Sequence, residues 1–515
     1  MPISDVIGHG ANPRYPVPRI SSEEAMAARK EFDLLIRNVR VVRPNAAMVE
    51  DADIAISNGK FARIAPGIAA GSARQVFDAK NRLAFPGLVD PHMHTGIYSP
   101  LAEDAVTESR AAAQGGVTSS LNYMRTGGYY LNKGGPYRKF FPEVLDISAG
   151  KFHVDYAYHL APMSQGHIRE IPALVNDFGV TSFKIFMFYG SHGLHGRSQN
   201  QAEFLMIGKD EKYDIAHFEF VMRGVRKAME KYPDKAADIS LSLHCETAEI
   251  MSAYTKMVEE EGTLKGLHAY SAGRPPHSEG LAIFIAAYLA NETELPNINL
   301  LHLTSRKAVI AALQMAAVFP HINFRREVTI GHLMLDTDSP CGPLAKVNPP
   351  IRPRPDVEFL WEQLLEGNID WVCSDHACCK HEMKVDRKKP KDIWLAKSGF
   401  GGTEYLLAAL VSEGRKRGLS YNQMAKLTSY NAARRFGLDR KGDIAPGLDA
   451  DLAILDPSDS WVVRAANSES HQGYTPFEGM ELSARVKTTF LRGKVVFDGG
   501  KVVGKASGKY LHRPY

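Results

Sequence analysis

Two histidines one residue apart close an apolar run, Pro86-Gly87-Leu88-Val89-Asp90-Pro91-His92-Met93-His94. Side chains at i and i+2 of a strand leave the same face, so His92 and His94 can converge on one point. Alone, the pair would suit two ordinary polar histidines at a strand end. The pattern recurs, however. Leu241-Ser242-Leu243 runs into His244, Leu300-Leu301 into His302, and Trp371-Val372-Cys373-Ser374 into Asp375. Four imidazoles and a carboxylate at the ends of apolar strands suit zinc or a similar divalent ion, and chance is a poor explanation for all five.

Lys184 is the sixth residue of interest, within Thr181-Ser182-Phe183-Lys184-Ile185-Phe186-Met187. A lysine among apolar neighbours on a central strand is costly to bury charged, and burial favours its neutral amine. A neutral amine can take up carbon dioxide as a carbamate. That group is anionic, carries two oxygens and could bridge two metal ions.

These residues need a scaffold that brings many strand ends to one place. β-rich runs are expected near residues 83–90, 117–124, 152–160, 181–187, 239–244, 298–303, 322–330 and 369–375. Helical patterns lie between them, clearest at 218–231, 278–290, 305–317 and 357–366. Eight strands alternating with helices is the count of a (β/α)8 TIM-like barrel, whose active sites lie at the carboxyl ends of the strands. The barrel is expected over 82–439. Residues 33–81 and 440–500 hold short alternating runs with glycine turns such as Ser57-Asn58-Gly59-Lys60 and Arg492-Gly493-Lys494. They read as one small β-sandwich domain built from both chain ends. Residues 1–32 read as an N-terminal extension and 501–515 as a C-terminal arm.

Composition narrows the class. With 43 glycines and 29 prolines in 515 residues the chain is neither fibrous nor low-complexity. Its most apolar run, Leu281 to Ala290, is too short to span a bilayer, and the first thirty residues hold no apolar signal-peptide core. A cytoplasmic protein without a membrane partner is the expectation. A formal net charge of +4 with no basic stripe gives no sign of nucleic-acid binding. The cationic run from Lys380 to Lys391 reads as a solvated loop, and the five cysteines as reduced thiols.

Taken together, the motifs resemble the amidohydrolase superfamily, and within it the dihydropyrimidinase/hydantoinase branch with its dihydroorotase and allantoinase relatives. The resemblance spans roughly residues 33–500. Besides the strand ends above it rests on His244-Cys245-Glu246, His302-Leu303-Thr304-Ser305, Asn348-Pro349-Pro350-Ile351-Arg352, Ser374-Asp375-His376 and Gly401-Gly402-Thr403-Glu404. Late matches are Asn431-Ala432-Ala433, Phe436-Gly437-Leu438 and Tyr474-Thr475-Pro476-Phe477-Glu478-Gly479. The resemblance implies two divalent ions, most simply Zn2+. His92, His94 and Asp375 would hold the buried ion, His244 and His302 the more exposed one, and an N-carboxylated Lys184 would bridge them. It implies a homotetramer acting on a small cyclic amide, with Asp375 moving the proton and Tyr189 polarising the scissile carbonyl.

Substrate signals are weaker. Dihydroorotases of this kind carry an arginine two residues after His-x-His, where this chain has Gly96. With Tyr189 present, a hydantoin, dihydropyrimidine or related cyclic imide or ureide is expected; a dihydroorotase- or allantoinase-type hydrolase is the alternative. Asn348 and Ser398 stand at ring-holding positions where hydantoinases more often have serine and asparagine, respectively. Two segments look extended: Arg125 to Phe141, a glycine-hinged aromatic stretch that suits a lid or a subunit contact, and Gly190 to Asp238. A non-catalytic scaffold relative would lack several ligands, whereas all six are present.

Overall fold

The computed structural model describes residues 30–190, 192–195 and 201–515, so all but the last three residues of the expected N-terminal extension lie outside it. The first four strands are β1 (Phe32–Val41), β2 (Glu50–Ser57), β3 (Lys60–Ala65) and β4 (Ala73–Pro86). Eight follow: β5 (Leu88–Met93), β6 (Val117–Met124), β7 (Asp155–Leu160), β8 (Ser182–Phe186), β9 (Ser240–His244), β10 (Asn297–Leu300), β11 (Asn323–Thr329) and β12 (Trp371–Cys373). They form one sheet in sequential order, each strand parallel to the next. A parallel bridge from Met93 to His376 brings its two edges together. Helices connect the strands, among them Gln165–Phe178, Ile215–Lys231, Pro276–Glu292, Arg306–Val318 and Arg354–Leu365. This is the expected (β/α)8 barrel.

Strands buried on both faces explain the near-continuous apolar runs. Phe183, Ile185, Leu241, Leu243, Ile298, Leu300 and Val328 are wholly buried. Ser164, Asp214 and Ser305 cap helices of the barrel with their side chains. Ser305, which follows the His302 loop, caps the helix Arg306–Val318 by accepting the Ala308 N–H at 3.2 Å.

The remaining strands are β13 (Leu452–Asp456), β14 (Trp461–Val462), β15 (Glu481–Leu482), β16 (Arg485–Leu491), β17 (Lys494–Asp498) and β18 (Lys501–Val502). β14 and β15 pair with each other. The rest join β1–β4 in a second sheet ordered β18-β17-β16-β13-β4-β1-β2-β3. The two chain ends meet where β4 runs antiparallel to β13, from Leu83 opposite Leu455 to Pro86 opposite Leu452.

One boundary differs from expectation. The first barrel strand is not 83–90: residues 83–86 end β4 in the terminal sheet, and the barrel begins at Leu88. The chain passes between the sheets at Gly87, where a Cβ would lie 2.2 Å from Thr118 Oγ1. Two apolar runs joined by one glycine read as a single strand in sequence. The C-terminal residues, expected as an arm, fold back on the barrel. Leu511 N–H donates to Tyr156 O at 2.8 Å, and wholly buried Arg513 donates to Ser182 Oγ at 2.7 Å.

Candidate metal centre

Five of the six expected ligands stand at the carboxyl ends of four barrel strands, and the sixth, Lys184, lies in the middle of β8. Asp90, within β5, sets the geometry between the first and last barrel strands. Its carboxylate accepts from Ser374 N–H (3.2 Å), Ser374 Oγ (2.5 Å) and Thr403 Oγ1 (2.9 Å). His94 N–H donates to His376 O at 2.8 Å. These bonds hold the end of β12 against β5 and bring Asp375 to the His-x-His pair.

Asp375 Oδ1 lies 3.1 Å from Nε2 of both His92 and His94, and the two Nε2 atoms are 3.3 Å apart. Ligands about 2.1 Å from one tetrahedral ion are separated by about 3.4 Å, so this triad fits a metal. Lys184 Nζ is 3.1 Å from His92 Nε2. The His244 and His302 rings are 4.3 Å apart, with His302 5.4 Å from His92. His302 Nδ1 is buried and has no hydrogen-bond partner among the described residues, as expected of an atom that ligates an ion. Both His302 (φ 34°) and Asp375 (φ 51°) adopt left-handed backbone conformations, strain of the kind kept at functional sites.

Electrostatics favours ligation. Burial and the nearby Lys184 charge hold His92 well below its ordinary value, and burial with the neighbouring His244 does so for His302. Burial lowers His244 to about 4, so its imidazole is neutral at pH 7. Burial would raise Asp375, but the charges of His92, His94 and Lys184 hold it below the usual carboxylate range. Burial brings the Lys184 amine down to about 8 against the opposing pull of Asp375 and Glu327.

A single cavity is lined by His94, Lys184, Tyr189, His244, His302, Asn348, Asp375 and Ser398. His92 stands behind it, wholly buried. Asn348 has its amide committed, donating to Leu194 O at 2.9 Å and accepting from Tyr270 Oη at 2.5 Å. Ser398 is anchored by its backbone: its N–H donates to His195 Nδ1 at 3.1 Å, and its carbonyl accepts from Tyr98 Oη. Tyr189 is buried on the cavity wall and accepts from Arg125 Nε at 3.2 Å.

Several supporting groups were not expected from sequence. Glu327, within β11, accepts from His92 Nδ1 (2.7 Å), Trp371 Nε1 (2.8 Å) and His302 N–H (3.1 Å). Glu246 lies 2.6 Å from His244 Nε2 and pairs with buried Arg274. Against the upward push of burial, Arg274 and His244 lower Glu246 to about 2. Tyr130 Oη lies 2.7 Å from His94 Nδ1. The position of Glu246, two residues past a ligand, was the only local clue among these.

The model of the amidohydrolase family matches residues 210–496. The allantoinase of Rubrobacter xylanophilus is 32% identical over 489 residues, covering 93% of this chain and 97% of its own. The crystal structure of dihydropyrimidinase from Brevibacillus agri superposes with a TM-score of 0.79 at 26% identity, covering 93% of this chain and 98% of that one. L-hydantoinase (dihydropyrimidinase) from Arthrobacter aurescens gives 0.79 at 26% identity, covering 93% and 99%.

Proposed function

The chain belongs to the amidohydrolase family, and we propose that it hydrolyses a C–N bond of a cyclic amide, a hydantoin, dihydropyrimidine or related imide or ureide, at a two-metal centre. The convergence of His92, His94, Lys184, His244, His302 and Asp375 beside the cavity that holds Tyr189 carries this reading.

His92, His94 and Asp375 would hold one ion, His244 and His302 the second, and the carbamate of Lys184 both. When bound, such ions, most simply zinc, supply Lewis acidity and activate water at neutral pH. Asp375 takes the proton released as water adds to the ring carbonyl, then gives it to the departing nitrogen. The Tyr189 O–H donates to the carbonyl oxygen as negative charge develops there. One C–O bond forms and the ring C–N bond breaks. Because both ends stay tethered, one open-chain product carries the new carboxylate and the freed nitrogen.

We further propose that the enzyme is a cytoplasmic homotetramer. No helix among the described residues is long and apolar enough to cross a membrane. The Rubrobacter relative supports allantoin as a second candidate ring. The test is a hydrolysis screen across dihydrouracil, hydantoins, allantoin, dihydroorotate and cyclic imides, with bound metal measured alongside. Turnover of at least one ring, lost by about 10³-fold in Asp375→Ala, is expected. A metal-loaded protein inert on every ring, or an Asp375→Ala protein turning over at the wild-type rate, overturns the reading.

A further inference from the structure

We propose that Arg125 is a positioning residue for the ring-opening reaction, its guanidinium fixing Tyr189 as the hydrogen-bond donor to the substrate carbonyl. The inference rests on the function proposed above, but its core is a contact between two of this chain's own residues.

Arg125 follows β6 directly, at the carboxyl-terminal rim, and is 1% exposed. Buried arginines are normally paired with carboxylates. This one pairs with none among the described residues. Instead its Nε donates to Tyr189 Oη at 3.2 Å and its Nη1 to Thr126 O at 2.8 Å, while Nη2 has no partner among the described residues. Three aromatic faces hold the cation: Phe204 at 4.7 Å and Tyr130 and Tyr189 each at 5.1 Å from the ring centroid. The seat is made by Gly127, at φ +104°, where a Cβ would lie 2.8 Å from Arg125 Nη1 and 2.5 Å from Phe204 O.

The direction of the hydrogen bond matters. A guanidinium only donates, so the phenol oxygen must accept from it. Tyr189 makes no other hydrogen bond among the described residues, and its ring lines the catalytic cavity. Its own proton is left to point into the cavity. A neutral partner such as a serine or an amide could accept that proton and turn it away; arginine cannot. The adjacent cation also strengthens the phenol as a donor. Burial pushes the Tyr189 phenol upward, and the Arg125 charge and hydrogen bond oppose that push, with Arg274 adding to the opposition and Tyr129 working against it. A buried, uncompensated charge has a folding cost and calls for a use; here the use is a preorganised dipole at the point where oxyanion charge appears.

The experiment is a double-mutant cycle on the metal-loaded full chain, with folding checked by thermal melting and metal content. Arg125→Met is expected to lower kcat about 30-fold with KM within about threefold, and Arg125→Lys to recover kcat to within about tenfold of wild type. Added to Tyr189→Phe, Arg125→Met should cost less than about threefold more, because the group it acts through is gone. Equal factors in both backgrounds would make Arg125 merely structural; a raised KM with kcat held would make it a substrate contact; either overturns the proposal. Should the Arg125→Met protein not fold, Arg125→Gln, whose amide lacks the charge and can turn the phenol proton away, carries the same cycle.

A second measurement needs no turnover. With 3-fluorotyrosine at position 189, the fluorine NMR titration of the phenol should move up by about one pH unit or more in Arg125→Met. An unmoved titration refutes the coupling even in a protein inert on every ring tested, whereas a moved titration in such a protein leaves the coupling standing and places the failure in the proposed function.

Discussion

Glu327 accepts the Nδ1 proton of His92 at 2.7 Å, on the side of the imidazole opposite Nε2, which lies 3.1 Å from Asp375. The carboxylate therefore fixes both the tautomer and the orientation of the ring, leaving the Nε2 lone pair for an ion. Through Trp371, at the start of β12, and the His302 backbone it also ties β5, β12 and the end of β10 to β11. Glu327→Gln should weaken metal binding about 10- to 100-fold, measured as ions per chain against a competing chelator, with activity restored by excess metal. Unchanged affinity would mean that another group orients His92.

The ligands were legible because His92 and His94, His244, His302 and Asp375 close apolar runs and Lys184 sits within one, where polar side chains have no ordinary reason to be. Glu327 was not. A single carboxylate after Arg325-Arg326 reads as part of a solvent face, and its partner is 235 residues earlier in the chain. Arg125 follows a strand, β6, that mixes Thr118, Ser119, Ser120 and Asn122 with apolar residues, and only the folded aromatic seat shows that it lacks a carboxylate. The barrel was legible from the alternation of runs. The step between sheets at Gly87 was not, because it changes the strand's neighbours without changing its hydrophobicity.

Lys184 is buried among the ligands with its Nζ 3.1 Å from His92 Nε2 and its charge 4.0 Å from the Tyr123 ring centroid. An unmodified ammonium there would repel the ions that the histidines hold. Carboxylation converts it into an anion with two ligating oxygens. Loading the metal-free protein with metal should depend on dissolved carbon dioxide, and 13C-bicarbonate should give a carbamate NMR signal. Lys184→Ala should lose that signal, bind fewer than two ions and fall below about 1% of wild-type turnover. Two ions and full activity in that variant would end the carbamate assignment.

Tyr98 and Tyr129 pack against His195 with ring centroids 5.7 and 4.9 Å away, over the Ser398 side of the cavity. Both tyrosines also line a groove between residues 96–102 and 128–132. An aromatic rim beside a small polar site suits a substituent on the ring. Tyr129→Ala should lower kcat/KM for an aryl-substituted hydantoin about tenfold more than for unsubstituted hydantoin, consistent with the loss of one apolar contact. Equal losses on both substrates would show that the rim does not sense the substituent.

Lys441 joins the barrel to the terminal sheet. Its buried Nζ lies 2.7 Å from Asp155 at the start of β7, 2.6 Å from Asp451 just before β13, and 3.0 Å from Asp449. Arg492 also pairs with Asp155 but is less buried. Burial alone would raise Asp449, yet Lys441 and Arg440 lower it net, so its contribution to stability is present above about pH 4 and is lost as acidification protonates it. Lys441→Met leaves several buried carboxylates short of a cation, and about 3–5 kcal/mol of destabilisation is expected at pH 7. Burial already holds Asp451 above its ordinary value despite Lys441; without the cation the buried carboxyl cluster favours protonation more strongly, and proton uptake then relieves the folded variant more than wild type. The gap between wild type and variant should accordingly narrow from pH 7 to pH 5. Urea unfolding at both values measures it; a gap that stays constant or widens toward pH 5 would show that the carboxylates do not set the stability of this junction.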